Sequence, residues 1–339
     1  MSSQDKIYDV ITYGRSSIDL YSQEVGRKFE DIPGFHAFVG GSPLNIAVGC
    51  SRLGLKASLL TGVGNDKVGD FILNFLKQEG VITENISVIE GARSSAVILG
   101  IEPPDRFPLV YYRDNCADSQ INIDHVLKAG IEKSRLLEVS GTALNIEPTR
   151  SAAFLAAEIA TTNEVPVMLD LDFRADQWYD IRAFGVTVRA FMRNVNIVLG
   201  TEEEILAAYL RDESQLSISH QQISAPEIKG DLNEAINGIL QLGVEALIVK
   251  TGSRGAIVYL SDGTIQEVPG FPVKVLNILG AGDAFAAGFI YGYLKGWDWY
   301  KCSRMGNACG AHVVTRLGCA NFTPYEKEIL EFIESKGGF

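Results

Sequence analysis

The sequence predicts an α/β fold built on a doubly wound, mostly parallel sheet with helices on both faces. Short apolar runs that are typical of buried strands alternate with helical patterns along most of the chain. Glycines such as Gly54, Gly64 and Gly80 lie near the breaks between these elements. The alternation indicates parallel strands, because these need helical crossovers that cover the sheet.

The composition is that of a globular protein. Of the 339 residues, 46% are hydrophobic and 21% are charged, which fits a globular protein with enough length for one large core or two smaller ones. Apolar runs are shorter than a bilayer requires and the first residues lack the pattern of a signal peptide, so we expect a cytoplasmic protein. The five cysteines are scattered without a Cys-x-x-Cys pair, which predicts reduced thiols and neither disulfides nor a zinc site.

The formal net charge of −12 argues against nucleic acid as a partner, because phosphate backbones bind basic surfaces. The same charge does not exclude an anionic small molecule. Exposed charges more than about 10 Å apart are largely screened, so a few arginines in one pocket can still bind an anion. Arg15, Arg113 and Arg174 are the candidates.

Two breaks in the first fifty residues carry candidate binding groups. Asp19 comes soon after a strand predicted over 7–13, where it either faces a ligand or lies in a solvated loop. Gly40 and Gly41 would let a ligand approach the backbone, and Asn45, one helical turn later, offers both a donor and an acceptor.

The α/β alternation begins directly after these glycines. A helix is predicted over 42–53, with Ser42 as its N-cap and Pro43 at its first helical position. A strand over 57–62 and a helix over 67–79 continue the alternation.

The strand-like runs 95–101 and 107–112 interrupt this rhythm. They are joined by a short polar turn, which predicts a hairpin rather than a crossover. With residues from about 15–38, the segment 94–113 could form a small β lid that excludes water from a reacting phosphoryl group. Arg113, at the end of the hairpin, either holds a carboxylate through two contacts or forms a surface ion pair.

Polar groups also follow the strands in the middle of the chain. Strand 136–140 and helix 148–162 lead to a strand that ends at Asp170. Asp170, Asp172 and Arg174 alternate with apolar residues, so we expect them to share one face at the end of the sheet where ligands bind.

The next strand, 197–200, runs into Thr201-Glu202-Glu203-Glu204. Thr201 is predicted to cap a helix whose first turn the glutamates complement, although one glutamate could reach a magnesium shell. The polar residues 212–231 predict an exposed loop, not a domain boundary, because the α/β pattern then resumes.

Two features near the C-terminus suit a nucleotide. Strand 246–250 runs into the tight turn Thr251-Gly252-Ser253-Arg254-Gly255, which could wrap a nucleotide with its backbone or be an ordinary hairpin connection. Helix 298–316 carries Asn307 on a face of small residues.

The stretch Gly280-Ala281-Gly282-Asp283 precedes the apolar part of a helix predicted over 280–294. Small residues leave the N–H groups of the first turn open, and the positive end of the helix dipole favours an anion there. Asp283 is then either a helix cap or a general base beside a phosphoryl group.

Together these motifs resemble the ribokinase/PfkB family of sugar kinases over essentially the whole chain. Gly40-Gly41-x-x-x-Asn45 through Gly64-x-Asp66 is similar to the N-terminal signature of the family, and Gly280-Ala281-Gly282-Asp283 is similar to the C-terminal one. The resemblance implies a single ribokinase-like domain over residues 1–339 with a β lid, often dimerised through that lid. It also implies an ATP-dependent kinase that uses Mg²⁺, with a monovalent cation as a further candidate cofactor.

The resemblance assigns roles to individual residues. Asp283 would be the base, and the amides of Gly280, Ala281 and Gly282 would stabilise the transferred phosphoryl group. Glu203 would act on Mg²⁺ through water. The other implied groups bind the two substrates: sugar hydroxyls at Asp19, Gly40, Gly41 and Asn45, a sugar-acid carboxylate at Arg113 and Arg174, and ATP at Thr251, Gly252, Ser253, Gly255 and Asn307.

Two departures from the family pattern lie close to the predicted phosphate and metal sites. Asn277-Ile278 stands where the family commonly has Asp-Thr, and Gly200 stands where it has Asn. The leading hypothesis is a kinase of a keto-deoxy sugar acid, with a kinase of another sugar as its alternative. A catalytically silent sugar-binding regulatory protein is the non-enzymatic alternative that these departures favour.

Overall fold

The computed structural model describes residues 6–102, 107–210, 212–217 and 227–339. Fifteen strands lie within these ranges, and in chain order they are β1 (Val10–Tyr13), β2 (Ser17–Ser22), β3 (Phe35–Gly40), β4 (Ala57–Gly64), β5 (Ile86–Ile89), β6 (Ser95–Leu99), β7 (Leu109–Tyr112), β8 (Leu137–Ser140), β9 (Val167–Asp170), β10 (Ile197–Thr201), β11 (Leu216–Ser217), β12 (Glu227–Ile228), β13 (Ala246–Lys250), β14 (Gly255–Leu260) and β15 (Ile265–Pro269).

Ten α-helices lie within the same ranges. They are α1 (Ser42–Arg52), α2 (Lys67–Gln78), α3 (Ile123–Lys128), α4 (Thr149–Thr162), α5 (Ile181–Phe191), α6 (Glu202–Ala208), α7 (Leu232–Leu240), α8 (Ala281–Leu294), α9 (Trp299–Val313) and α10 (Glu326–Ser335). None of the helices in the described part of the chain combines the length and the apolarity that crossing a bilayer requires.

The main sheet has nine strands in the order β15-β14-β13-β10-β9-β8-β1-β4-β5. All neighbours are parallel except β13 with β14 and β14 with β15. The chain leaves β1 toward β4 on one side and later adds β8 on the other, so the strand order reverses at β1. Ligands of open α/β sheets bind at such a reversal, beyond the carboxyl ends of the strands.

Alternate residues of the main-sheet strands pack on opposite faces, as a period of two requires. In β13, Ala246 and Ile248 join the core that contains α1, α2, α8, α9 and α10. Leu247 and Val249 join the core that contains α3 to α7. The predicted doubly wound α/β fold is therefore confirmed.

A second sheet of four strands, which we call the lid sheet, has the order β3-β2-β6-β7. β6 and β7 pair antiparallel, as the predicted hairpin requires; the turn between them, at 103–106, lies outside the described residues. One face of the lid sheet, with Tyr21 and Val97, packs on Leu279, Leu317 and Cys319, which flank the start of α8. The Tyr21 hydroxyl lies 2.8 Å from the sulfur of Cys319.

The predicted element boundaries differ from the structure in three informative places. α1 has Gly41 at its N-cap position, so Ser42 is its first residue and the prediction of a Ser42 cap was wrong. The exposed loop predicted at 212–231 contains the short β11–β12 pair, and 218–226 lie outside the described residues. α5, with its marked apolar face, was not predicted. All five cysteines are free thiols.

Candidate active site

A cavity lies between the lid sheet and the carboxyl ends of the main-sheet strands. Its polar lining includes six groups that carry or attract charge: Arg15, Asp19, Asn45, Asp172, Arg174 and Asp283. A larger cleft of about 440 Å³ between α9 and α10 contains none of the predicted catalytic or binding residues. The first cavity is therefore the candidate active site.

α8 begins at this cavity, and Gly280 is the residue at which the chain turns into the helix. Gly280 is the N-cap and has a φ of +79°, a left-handed conformation that glycine adopts without strain. A Cβ at this position would lie 2.8 Å from the Cys319 sulfur. The N–H groups of the first turn, which we call the cradle, have no partner within the helix, and the Ala281 N–H donates only a long hydrogen bond of 3.4 Å to the Ile278 carbonyl. Together with the positive end of the dipole they favour an anion at this position.

Asp283 is the third residue of α8 and does not occupy the capping position. Its Oδ2 accepts a hydrogen bond of 2.6 Å from the side-chain nitrogen of Asn45, in the first turns of α1. Burial and the nearby Asp172 raise the pKa of Asp283, and the Asn45 hydrogen bond partly lowers it. A carboxylate with a raised pKa is a stronger base, so the arrangement suits proton abstraction better than capping.

The space beside Gly40 and Gly41 is filled by other residues of the protein, and side chains at these positions would clash with them. A Cβ on Gly40 would lie 2.0 Å from a carboxylate oxygen of Asp19, and one on Gly41 would lie 2.3 Å from the Arg15 carbonyl oxygen. The two glycines therefore let β2 fold against the start of α1, which brings Asp19 into the cavity. Gly41 lines the cavity, and Gly40 supports it from behind.

Arg15 and Arg174 present positive charge to the cavity. Arg15 donates to the Ser17 hydroxyl at 2.8 Å and lies over the ring of Tyr111, 5.4 Å from its centroid. Arg174 pairs with Asp172 at 2.7 Å. Burial alone would raise the pKa of Asp172, but Arg174 and Arg15 outweigh it, so the pKa is lowered and Asp172 stays charged.

Arg113 lies away from the cavity lining, contrary to what its position after the hairpin led us to expect. Its guanidinium pairs with Asp118 at 2.7 Å and donates to Gln177 at 2.8 Å. The side chains of the pair are only 8% and 0% exposed, so this is a buried ion pair and not a surface one. Arg15 occupies the cavity instead.

Of Asp170, Asp172 and Arg174, which were predicted to share one face at the end of the sheet, Asp172 and Arg174 line the cavity and Asp170 does not. β9 ends at Asp170, and Asp172 has a φ of +35°, which turns the chain out of the strand. Asp170 pairs instead with Lys250, whose Nζ lies 3.1 and 3.2 Å from its two oxygens. Burial raises the pKa of Asp170 to about 7 despite the opposing effect of Lys250. Lys250 was not among the predicted site residues.

The residues predicted to bind ATP lie beside α8. The Thr251 turn follows Lys250, and Ser253 is exposed at its tip. A Cβ on Gly255 would lie 2.2 Å from the Val268 carbonyl oxygen, and the Asn307 side chain donates to the carbonyls of Val268 and Pro269, both at 3.1 Å. Gly255 and Asn307 therefore meet at the end of β15.

Thr201 caps α6, whose first turn carries three glutamates, as predicted. The Thr201 hydroxyl accepts from the Glu204 N–H, and the Glu204 carboxylate accepts from the Thr201 N–H, which completes a capping box. Glu203 is exposed. Among the described residues, no group of three or more His, Cys, Asp or Glu side chains could hold a metal ion.

The two departures from the family pattern have local consequences. A Cβ on Gly200 would lie 2.7 Å from Leu171, so a larger residue there requires that Leu171 move. Asn277 is fully buried, and its side-chain oxygen accepts from the Leu279 N–H at 3.1 Å. Asn277 therefore helps to shape the loop that leads into the cradle.

Comparison with known proteins supports a kinase. Residues 8–326 match the family described as pfkB family carbohydrate kinase. The 5-dehydro-2-deoxygluconokinase of Clostridium tetani is 33% identical over 334 residues, covering 98% of this chain and 95% of that protein. The 5-dehydro-2-deoxygluconokinase of Bacillus thuringiensis is 32% identical over 334 residues, covering 98% and 96%.

Solved structures share the fold and include bound nucleotides. An uncharacterized sugar kinase of Pyrococcus horikoshii in complex with ATP is 26% identical, with a TM-score of 0.78 and 95% and 97% of the two chains covered. An E. coli protein in complex with ATP and Mg²⁺ is 24% identical, with a TM-score of 0.84 and coverage of 97% and 100%. A double mutant of Vibrio cholerae fructokinase, bound to fructose, ADP and potassium, is 24% identical, with a TM-score of 0.80 and coverage of 97% and 99%.

Proposed function

The chain belongs to the pfkB family of carbohydrate kinases, and we propose that it phosphorylates a keto-deoxy sugar acid at the expense of ATP. The proposed substrate is 5-dehydro-2-deoxy-D-gluconate of myo-inositol catabolism, and the proposed product is its 6-phosphate. The observation that carries this proposal is the presence of Arg15 and Arg174 in the same cavity as Asp283. Arg174 already pairs with Asp172, but a substrate carboxylate would give these guanidinium groups a further charge-assisted contact that a neutral sugar would not.

The proposed reaction starts with a substrate hydroxyl beside Asp283. Asp283 takes the hydroxyl proton while the oxygen bonds to the γ-phosphorus of ATP and the bond to the bridging oxygen breaks, which releases ADP. The N–H groups of Gly280, Ala281 and Gly282 stabilise the charge on the transferred group. Asp19, Gly41 and Asn45 bind sugar hydroxyls, with Gly40 shaping the wall behind them.

The nucleotide is proposed to lie between the Thr251–Gly255 turn and α9. Thr251, Gly252, Ser253 and Gly255 would contact it mainly through their backbone, and Asn307 would close the other side. The terminal phosphate of ATP is then proposed to lie at the cradle. The support is that the turn directly follows Lys250, the last residue of β13, whose Nζ lies next to Gly282 in the first turn of α8.

Mg²⁺, when bound with ATP, would neutralise phosphate charge. The exposed carboxylate of Glu203 fits a role through water, because Mg²⁺ keeps several waters and often takes few protein ligands. Arg113, held by Asp118, is proposed to support the wall behind the sugar acid; direct contact with the carboxylate would require that it leave this ion pair.

The substrate assignment is tested by measuring ADP release with a panel of acceptors. The panel contains 5-dehydro-2-deoxygluconate, 2-keto-3-deoxygluconate, fructose, ribose and adenosine, each assayed with potassium or choline as the monovalent cation. We expect the highest kcat/KM with 5-dehydro-2-deoxygluconate. A preference for 2-keto-3-deoxygluconate would change the acid but keep the arginine argument, and activity confined to a neutral sugar or a nucleoside would overturn it.

We also propose that residues 1–339 form a single kinase domain that dimerises through the lid sheet, with lid strands drawn from about 15–38 and 94–113. The outward face of the lid sheet is apolar, and Val110 and Tyr112 on it are 40% and 57% exposed. Ile18, Ala96 and Tyr112 share this face in one cross-strand row. Sedimentation velocity should find a dimer that Val110→Asp dissociates; a monomeric parent protein would overturn the proposal.

A further inference from the structure

Lys250 lies at the end of β13, on the face of the main sheet that α8 covers. Ala246 and Ile248, which precede it at a period of two, pack in the same core as α8. Its side chain is 12% exposed, and its Nζ lies 3.1 and 3.2 Å from the oxygens of Asp170. Lys250 is therefore a nearly buried cation with a fixed position.

The same ammonium group lies against the cradle. A Cβ built on Gly282 would be 3.3 Å from the Lys250 Nζ, closer than most Cβ contacts, so the ammonium group lies next to the first turn of α8. The N-terminus of a helix carries partial positive charge and disfavours a neighbouring cation. Asp170 and, at 4.0 Å, Glu204 offset the positive charge of Lys250, and a phosphoryl group in the cradle would bring a further negative charge to it.

We propose that Lys250 is a further catalytic residue, whose ammonium group contacts the phosphoryl group during its transfer, and that Asp170 is its positioning residue. An ammonium group has three N–H donors, so the contact with Asp170 leaves donor capacity for a phosphoryl oxygen. No proton is transferred to or from Lys250; its positive charge stabilises the negative charge that develops on the phosphoryl oxygens. This inference rests on the proposed position of the phosphoryl group at the cradle.

The charges around Asp170 support this division of roles. Burial raises the pKa of Asp170, and the neighbouring Glu204, Asp172 and Asp283 raise it further while Lys250 lowers it. The carboxylates of Asp170 and Glu204, whose oxygens lie 3.1 and 4.0 Å from the Lys250 Nζ, therefore hold the ammonium group in position.

The first test measures nucleotide binding without sugar, by calorimetry. A non-hydrolysable ATP analogue and ADP are titrated into the parent protein, Lys250→Met and the control Lys128→Met, which removes an exposed lysine at the end of α3. We expect Lys250→Met to bind the ATP analogue about ten- to a hundredfold more weakly, the range for a lost charge-assisted hydrogen bond, with ADP binding little changed. Equal losses for both nucleotides, or no loss, would overturn the inference.

The second test separates catalysis from a structural role. Lys250→Met alone leaves Asp170 without its partner, whereas the double variant Lys250→Met/Asp170→Asn removes both charges. We expect the double variant to recover thermal stability but to keep a kcat at least about tenfold below the parent value. Recovery of turnover together with stability would show that Lys250 only neutralises Asp170.

The two tests also distinguish this inference from the proposed function. If the parent protein phosphorylates only a neutral sugar, the substrate proposal fails, but the difference between the ATP analogue and ADP still tests Lys250. If the parent phosphorylates the sugar acid and Lys250→Met binds and turns over normally, only the inference about Lys250 fails.

Discussion

The side-chain amide of Asn45 holds the carboxylate of Asp283 through a hydrogen bond of 2.6 Å, although 238 positions separate the two residues in the chain. The bond joins the first turn of α1 to the first turn of α8. The helix that carries Asn45, a proposed sugar-binding residue, is thereby fixed to the helix that carries the proposed base. The protonation state of Asp283 depends on this contact as well as on burial and Asp172.

Asn45→Asp should move the acid limb of the kcat/KM profile to higher pH. The substitution replaces a donor that lowers the pKa of Asp283 with a carboxylate that raises it, so a shift of about one pH unit is expected. Asn65→Asp, which adds the same charge on the exposed surface, is the control. An acid limb at the same pH in both variants would contradict the proposed role of Asp283 as the titrating base.

Asp283→Asn should lower turnover by about two or more orders of magnitude, the effect of losing a general base. Affinity for ATP should stay near normal, because the cradle consists of backbone N–H groups. The measurement combines single-turnover kinetics with nucleotide titration. Retained turnover would return Asp283 to a structural role.

Arg15→Met should raise the KM for the sugar acid by about ten- to a hundredfold, because it removes a charged partner of the carboxylate. The effect on an analogue with an alcohol in place of the carboxylate should be much smaller. Arg27→Met removes an exposed arginine that pairs with Glu24, and serves as the control. Equal losses with the acid and with its neutral analogue would exclude Arg15 as the carboxylate partner.

Gly280→Ala should destabilise the protein more than Gly91→Ala does. The two glycines have nearly equal φ values, +79° and +77°, so both substitutions incur the left-handed strain of about 1–2 kcal/mol. A Cβ at Gly91 meets nothing within 4 Å, whereas one at Gly280 would lie 2.8 Å from the Cβ and Sγ atoms of Cys319. Urea denaturation measures the free energy of unfolding of both variants, and the difference between their losses gives the contribution of the steric clash. Equal losses would show that the segment around Cys319 moves aside without a measurable loss of stability.

The pKa of Asp170 predicts how its contribution to stability depends on pH. Its pKa is raised in the folded state to about 7, from an ordinary value of 3.8, so the folded protein binds the proton more tightly than the unfolded chain does. The resulting stabilisation is complete below about pH 4 and is lost as the pH rises to about 7. The free energy of unfolding of the parent minus that of Asp170→Asn should therefore fall between pH 5 and pH 8. A difference that rises over this range would show that the pKa is lowered.

Local patterns in the sequence predicted most of the fold and several of the residues that line the cavity. The strands and helices follow from apolar periodicity, and Gly280 to Asp283 follow from the rule that small residues open a helix N-terminus. The pairing of Lys250 with Asp170 spans 80 positions and crosses over β10, so it depends on strand order that no local pattern contains. The same limit explains why the position of Arg113 was not predicted, because nothing in the spacing of Arg113 and Asp118 shows that they form a buried ion pair.

The contact between Tyr21, Cys319 and Gly280 limits how this sequence can change during evolution or engineering. Cys319 fills the space between the Tyr21 hydroxyl on the lid sheet and the backbone of Gly280 at the cradle. A larger side chain at position 319 would press on both at once, and a smaller one would leave a void beneath the lid sheet. Positions 21, 280 and 319 should therefore covary among relatives, and redesign of the lid for a new sugar has to treat these three positions as one unit.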